Sequence, residues 1–457
     1  MRRLSFIFIT ILCTSCSFDN KTGIWKDASN LPVDDRVAES ISNDSLSRGY
    51  EDVFTQSKIF NEEKESSKFF YTEDTTPLRI TNWPEQYATP TNNISNFFYS
   101  GNKILLSKSP KLGKSSSTGN FFKRKIVFYK NNLISHDHKG KIFIYSLKSK
   151  KKIFEYNFYQ KKFKKYNKEI NFIVNKNILY AADNLGYLYA LDLEKKSIVW
   201  AKNYGIPFRS NLKFTNNQLF VANQDNVIYS IDSSTGDKKW KFSTQLTLIK
   251  SDFENTFALD LSNNVLFFLN TSGELYSINI LNQNVNWVLN FKNSSLANDA
   301  ELFFSQPIVL KYNNLIITTE NAVLNLNTST GKKNWDFSIE PILKPIITIN
   351  YTYILSENNL LICLDNTNGN VLWSQNILKN IKDKKIKKNF NSVIDLKIVN
   401  NKINIYSKNG HLLSFNPSNG NLSYSSKISK NGISSEIFFL NNNMLFVDNA
   451  NKLLKFN

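Results

Sequence analysis

Beyond about residue 140 the apolar residues fall in short alternating runs, broken every few residues by Asn- and Gly-rich turns. Tyr187, Tyr189 and Leu191 alternate in one such run. This spacing predicts strands packed on both faces rather than helices. One phrase recurs: a turn, an apolar strand, a polar turn often ending in Gly, then an aromatic. Copies span 186–200, 226–240, 273–287, 322–335, 360–373 and 410–424. A weaker copy lies at 140–154, and a truncated one at 451–456 closes the chain. The aromatics are Phe154, Trp200, Trp240, Trp287, Trp335, Trp373 and Tyr424, at spacings of 46, 40, 47, 48, 38 and 51 residues. Such periods suit one four-stranded blade per repeat. Five of the seven tryptophans hold this position, as expected of a large flat side chain buried against the next blade. Gly236, Gly331, Gly369 and Gly420 supply the positive φ of the turns.

The last copy stops short of a full blade, and a spare strand lies upstream at 102–109. Pairing the two closes the ring and removes an exposed sheet edge. The expectation is an all-β, eight-bladed propeller of four-stranded antiparallel blades, closed by an N-terminal strand. It occupies residues 81–457, behind a leader (1–15) and an acidic, flexible tether (16–80).

Composition sharpens this picture in three places. Residues 19–76 carry 13 acids and 7 bases, whereas residues 77–457 carry 25 acids and 48 bases. The excess is mostly lysine in loop-like runs, such as 148–152, 161–168 and 382–388. Nucleic-acid recognition would want Arg and aromatics on one helix or ribbon, so solvated loops are the reading, with anionic lipid headgroups as a secondary use. Met1, Arg2 and Arg3 precede an apolar run too short for a bilayer span. Small residues then end in Cys16, the expected lipidated residue of a lipoprotein signal; a plain secretory signal is the other reading. Cysteines are Cys13, Cys16 and Cys363, and histidines are His136, His138 and His411. A disulfide framework and a Cys-based zinc site are thereby excluded. His136-Asp137-His138 has no third ligand in sight and reads as a strand end or turn.

The phrase running from Asp232 through Thr235-Gly236 to Trp240 resembles the quinoprotein-type (PQQ-like) propeller repeat. With the leader and eight blades, residues 80–457 resemble the BamB family of outer-membrane assembly lipoproteins, most clearly at 206–210, 272–275 and 306–309. The resemblance implies a non-catalytic scaffold without cofactor or metal, lipid-anchored at the periplasmic face of the outer membrane. Its partners would be the periplasmic domains of a BamA-like barrel-insertion protein and other assembly lipoproteins. The family uses an inter-blade loop with a Leu-x-Leu-Arg-like stretch, and Ile206, Phe208 and Arg209 fall at that place. In the alternative reading Phe208 is core and Arg209 an ordinary surface charge. Two rival functions share the repeat. One is a quinone- and Ca²⁺-dependent dehydrogenase, which needs a catalytic Asp and unused oxygen ligands. The other is a generic periplasmic binding propeller.

Overall fold

The structure is a computed structural model. It describes residues 58–66, 76–114, 124–159, 163–244, 254, 256–291, 303–381, 384–390 and 392–457. Cys13 and Cys16 lie outside these residues.

Among the described residues thirty-two strands form eight four-stranded antiparallel sheets. In chain order the blades span 126–157 (blade 1), 170–203 (2), 213–243 (3), 256–290 (4), 309–338 (5), 346–376 (6) and 393–427 (7). Blade 8 takes three strands from 438–456 and its outermost strand, Leu105–Lys111, from the other end of the chain. There Leu105 pairs with Phe456 and Lys108 with Leu454. The ring closes as the truncated repeat requires.

Within a blade the middle strands are buried on both faces, as in Leu179–Ala182 and Phe220–Ala222, while the outermost strands alternate with solvent. Apolar clusters lie at the seams between blades, and the largest joins blades 7, 8 and 1 to Trp83, Phe97 and Tyr99. The repeat aromatics occupy one register. Trp200 sits opposite Ala190, Trp240 opposite Ser230, Trp287 opposite Ser277, Trp335 opposite Asn325 and Trp373 opposite Cys363. Phe154 and Tyr424 hold the same place opposite Ile144 and Ser414. In blades 1 to 7 a bulge follows this pair, and it turns the strand end toward the next blade.

Residues 58–66 of the expected tether are seated on the outer edge of blades 5 and 6. Phe60 donates its N–H to Ser338 O and packs on Phe337 at 5.2 Å. Lys64 and Ser374 exchange backbone hydrogen bonds of 3.0 and 2.9 Å, and Glu63 pairs with Lys379 at 2.7 Å.

The segment 80–100 carries no repeat signal, yet it makes a full circuit of the ring. Asn441 of blade 8 donates to Ile80 O, and Trp83 exchanges two 2.8 Å bonds with Phe128 of blade 1. Val174 of blade 2 donates to Pro84 O, Leu259 of blade 4 to Pro90 O and Leu310 of blade 5 to Thr91 O. Asn93 Nδ2 reaches Ile347 O of blade 6 at 2.9 Å, and Phe97 N reaches Ile398 O of blade 7 at 2.8 Å. The contact with blade 3 is Glu85 to Lys213 at 2.6 Å. The segment thus meets the first strand, or the turn just after it, of all eight blades. The segment is a plug across one mouth of the central channel.

Candidate functional site

The plug is held by buried polar groups rather than by apolar contact alone. Lys213, fully buried on blade 3, gives its ammonium to Glu85 Oε2 (2.6 Å), Asn92 Oδ1 (2.7 Å) and Thr89 O (3.0 Å). Three acceptors satisfy its three donors. Burial pulls Lys213 down and Glu85 up, and the charge of each partner opposes the shift. Asn92 also bridges blades 4 and 5 through Phe257 O (2.7 Å) and Ile308 O (2.9 Å). The innermost point of the plug is a turn with Tyr87 and Ala88 at φ 64° and 68°, a backbone state that costs a non-glycine residue of order 1 kcal/mol or more.

Behind Gln86 and Tyr87 the channel widens into a blind funnel of about 530 Å³. Its walls are the N-terminal ends of the first strands and the loops leading into them, including 124–127, 306–307, 343–344, 394–397 and 433–438. Asp395 and Lys397 alternate along one strand with the core residues Leu396 and Ile398. The alternation turns both charges toward the channel. Lys397 pairs with Asp395 at 3.1 Å and Glu436 at 3.5 Å. Burial opposes its charge, but the two carboxylates outweigh burial and raise its pKa. Lys125 pairs with Glu254 at 2.6 Å. Arg124, held by Leu112 O at 2.6 Å, is lowered by burial to about 10 and stays charged at neutral pH.

The calcium of the dehydrogenase reading does not fit the described residues of the funnel. Each described carboxylate there already serves a lysine: Glu254 serves Lys125, and Asp395 and Glu436 serve Lys397. Asp395 also accepts the N–H of Leu396 (2.9 Å) and of Ile437 (2.7 Å). Among the described residues no group of three His, Cys, Asp or Glu is placed to hold a metal ion. His136 and His138 stand around a strand end and turn built on Asp137, whose Oδ1 accepts the N–H of Lys139 and Lys141. Cys363 is buried and stands opposite Trp373 in the strand register.

The loop with Ile206, Phe208 and Arg209 links blade 2 to blade 3 at the funnel end. Phe208 is 2% exposed and packs edge-on against Tyr204 and Tyr229. Its N–H donates to Asp183 O, and that of Arg209 to Ala222 O. Arg209 pairs with Glu169 of the preceding inter-blade loop at 3.3 Å, with 13% of its side chain exposed. Ile206 is half-buried. The loop thus presents Ile206 and the edge of Arg209, while Phe208 holds it to the seam. Sequence reasoning passed over the plug and the funnel lysines. A usable signal existed in the strand 393–399, where two charges share the phase that faces away from the core.

Comparison with known proteins agrees with this architecture. The family model described as outer membrane protein assembly factor BamB matches residues 160–375. BamB of Legionella pneumophila (strain Paris) is 32% identical over 69 residues, which cover 15% of this chain and 17% of that protein. The fold of BamB from Moraxella catarrhalis superposes with TM-score 0.58 at 12% identity, covering 77% of this chain and 98% of that one. Quinohemoprotein alcohol dehydrogenase from Comamonas testosteroni gives 0.59 at 10% identity, over 84% and 81% of the two chains. Blades, register and closure define an eight-bladed propeller of quinoprotein-type repeats. Within that class the chain is BamB-like.

Proposed function

We propose that this chain is a non-catalytic scaffold lipoprotein of outer-membrane β-barrel assembly. On this reading a lipid on Cys16 anchors it to the periplasmic face of the outer membrane. Its inter-blade loops, 204–210 among them, bind the periplasmic domains of a BamA-like barrel-insertion protein beside other assembly lipoproteins. The observation that carries the reading is the pairing of each described funnel carboxylate with a lysine above a channel stoppered by the chain's own segment. A rigid body whose axis is filled works through surfaces, and loops held by fixed strands are suited to that use. The BamB likeness supplies the kind of partner.

The test is capture from detergent-solubilised outer membrane with the full chain as bait. A barrel-insertion protein should co-purify, and less of it with Ile206→Asp. Burying an apolar anchor typically contributes about 2 kcal/mol, roughly thirtyfold in affinity. Arg209→Gln should weaken capture while leaving the melting temperature within a degree or two, because a pair open to water on the Glu169 side contributes about 0–1 kcal/mol. Purification with a bound quinone and alcohol-oxidising activity, and without a barrel-insertion protein, overturns the proposal.

A further inference from the structure

Among the described residues the funnel holds five cations, Arg124, Lys125, Lys344, Lys397 and Lys408, against three carboxylates, Glu254, Asp395 and Glu436. The carboxylates are taken by two of these cations, and Arg124 has the Leu112 carbonyl. Glu254 is engaged by Lys125, and Asp395 and Glu436 by Lys397. Lys344, on the loop entering blade 6, makes no hydrogen bond or ion pair among the described residues; the Tyr87 ring lies 6.0 Å from its Nζ. Its side chain is half-buried and lines the cavity. Burial first, and then the charge of Lys397, lower its pKa to about 8. An ammonium without acceptors in such a place is unfavourable. Asp395 and Glu436 lend it some favourable charge, but both are bonded to Lys397 instead. On the cavity floor, Gln86 gives its Nε2 to Tyr87 Oη (2.7 Å), while its Oε1 is buried without a donor.

We propose that the funnel binds a small oxyanion, a phosphate or a carboxylate, on the ammonium of Lys344. The cavity is of the size that takes a small molecule, and the plug makes it a dead end. Its surplus positive charge rejects free metal cations and favours anions. A hydrogenphosphate or a hydroxy acid would also bring an O–H donor for Gln86 Oε1. This binding goes beyond the scaffold reading and does not depend on it.

The experiment is calorimetric titration of the unlipidated full-length mature chain at neutral pH. Inorganic phosphate and succinate are the two probes, each against a chloride control of equal ionic strength. One-to-one binding is expected with at least one probe, and which one tells whether the natural ligand is a phosphate or a carboxylate. Lys344→Met should weaken it by roughly tenfold or more, the loss of a charge-assisted hydrogen bond. Lys344→Met removes a destabilising charge, so it is expected to fold at least as stably as the parent. Lys344→Arg should retain most of the binding. As an independent readout, the Nζ resonance of Lys344 should titrate at higher pH with the anion present. Heats no larger than those of chloride for both probes, or unchanged affinity in Lys344→Met, overturn the proposal.

Discussion

At the scale of single residues, the repeat aromatics act as locks between blades. Trp335 donates its indole N–H to Asn366 O in the next blade at 2.8 Å, and its ring covers Gly369. A Cβ on Gly369 would lie 2.8 Å from that ring, at a φ of +73°. Trp200 with Gly236, Trp287 with Gly331 and Trp373 with Gly420 repeat the arrangement. Trp240 differs, since the corresponding turn of blade 4 holds Gln283 at φ 65° instead of a glycine. Trp335→Ala should therefore lower stability by about 3–5 kcal/mol, and Gly369→Ala by about 1–3 kcal/mol. The half-buried Trp240 should cost less on truncation. Denaturant midpoints of the three variants check this order, and equal losses for Trp335→Ala and Trp240→Ala would refute it. His136 makes a pH prediction. It is buried against Phe172 in the seam of blades 1 and 2, and burial lowers its pKa to about 3. The unfolded chain, with an ordinary histidine near ~6.5, binds the extra proton first. Stability contributed by neutral His136 is thus complete above ~6.5 and declines toward pH 3, by at most about 1.4 kcal/mol per pH unit. His136→Gln should flatten the acid limb of stability against pH by about one proton. An unchanged slope between pH 6 and 4 would dismiss this.

At the scale of elements, the plug and the closing strand do different work. Strand Leu105–Lys111 completes blade 8 through backbone pairing, which nearly any sequence without proline at the wrong place can supply. The plug depends on particular side chains, above all Lys213, Glu85 and Asn92. Removing one member of a buried pair leaves an uncompensated charge. Lys213→Met should cost about 3–5 kcal/mol, while Glu85→Leu combined with Lys213→Met should recover part of that loss. Thermal unfolding of the two variants measures it, and a double variant worse than the single would exclude the pairing as the cause. Hydrogen exchange should find the amides of Phe128, Val174 and Phe97 protected together, because each bonds across the junction of plug and blade.

At the scale of the whole molecule, the two ends of the propeller are unlike. One is stoppered by 80–100, and the other opens into a funnel ringed by the inter-blade loops. Loop 204–210 and the lysines of the anion proposal share the open end, so a partner docked there would also cover the funnel. Membrane attachment belongs to this scale too. If lipid on Cys16 holds the chain to the membrane, Cys16→Ala should move it to the soluble periplasmic fraction, since no helix among the described residues is long and apolar enough to cross a bilayer. Continued membrane fractionation of Cys16→Ala, without lipid mass on the mature N-terminus, would reject the anchor.

The blade count, the strand that closes the ring and the common register of the seven aromatics were legible in the sequence. Each rests on periodicity, which stays local in the chain: alternation shows strands, and a fixed interval from turn to aromatic shows blades. The loop carrying Ile206 and Arg209 was legible too, but the choice between a core and an interface Phe208, and the pairing of Arg209 with Glu169, were not. Those depend on which loops the ring brings side by side. The plug was hidden for a related reason. Residues 80–100 bond to eight different strands, one or two residues each, so no periodic trace of the contact is left along the chain. The funnel followed only from closure. Lys125, Lys344 and Lys397 lie far apart in sequence, and their shared cavity exists because eight first strands are held around one axis. Sequence periodicity determined the repeating unit, and tertiary closure decided which charges meet at its centre.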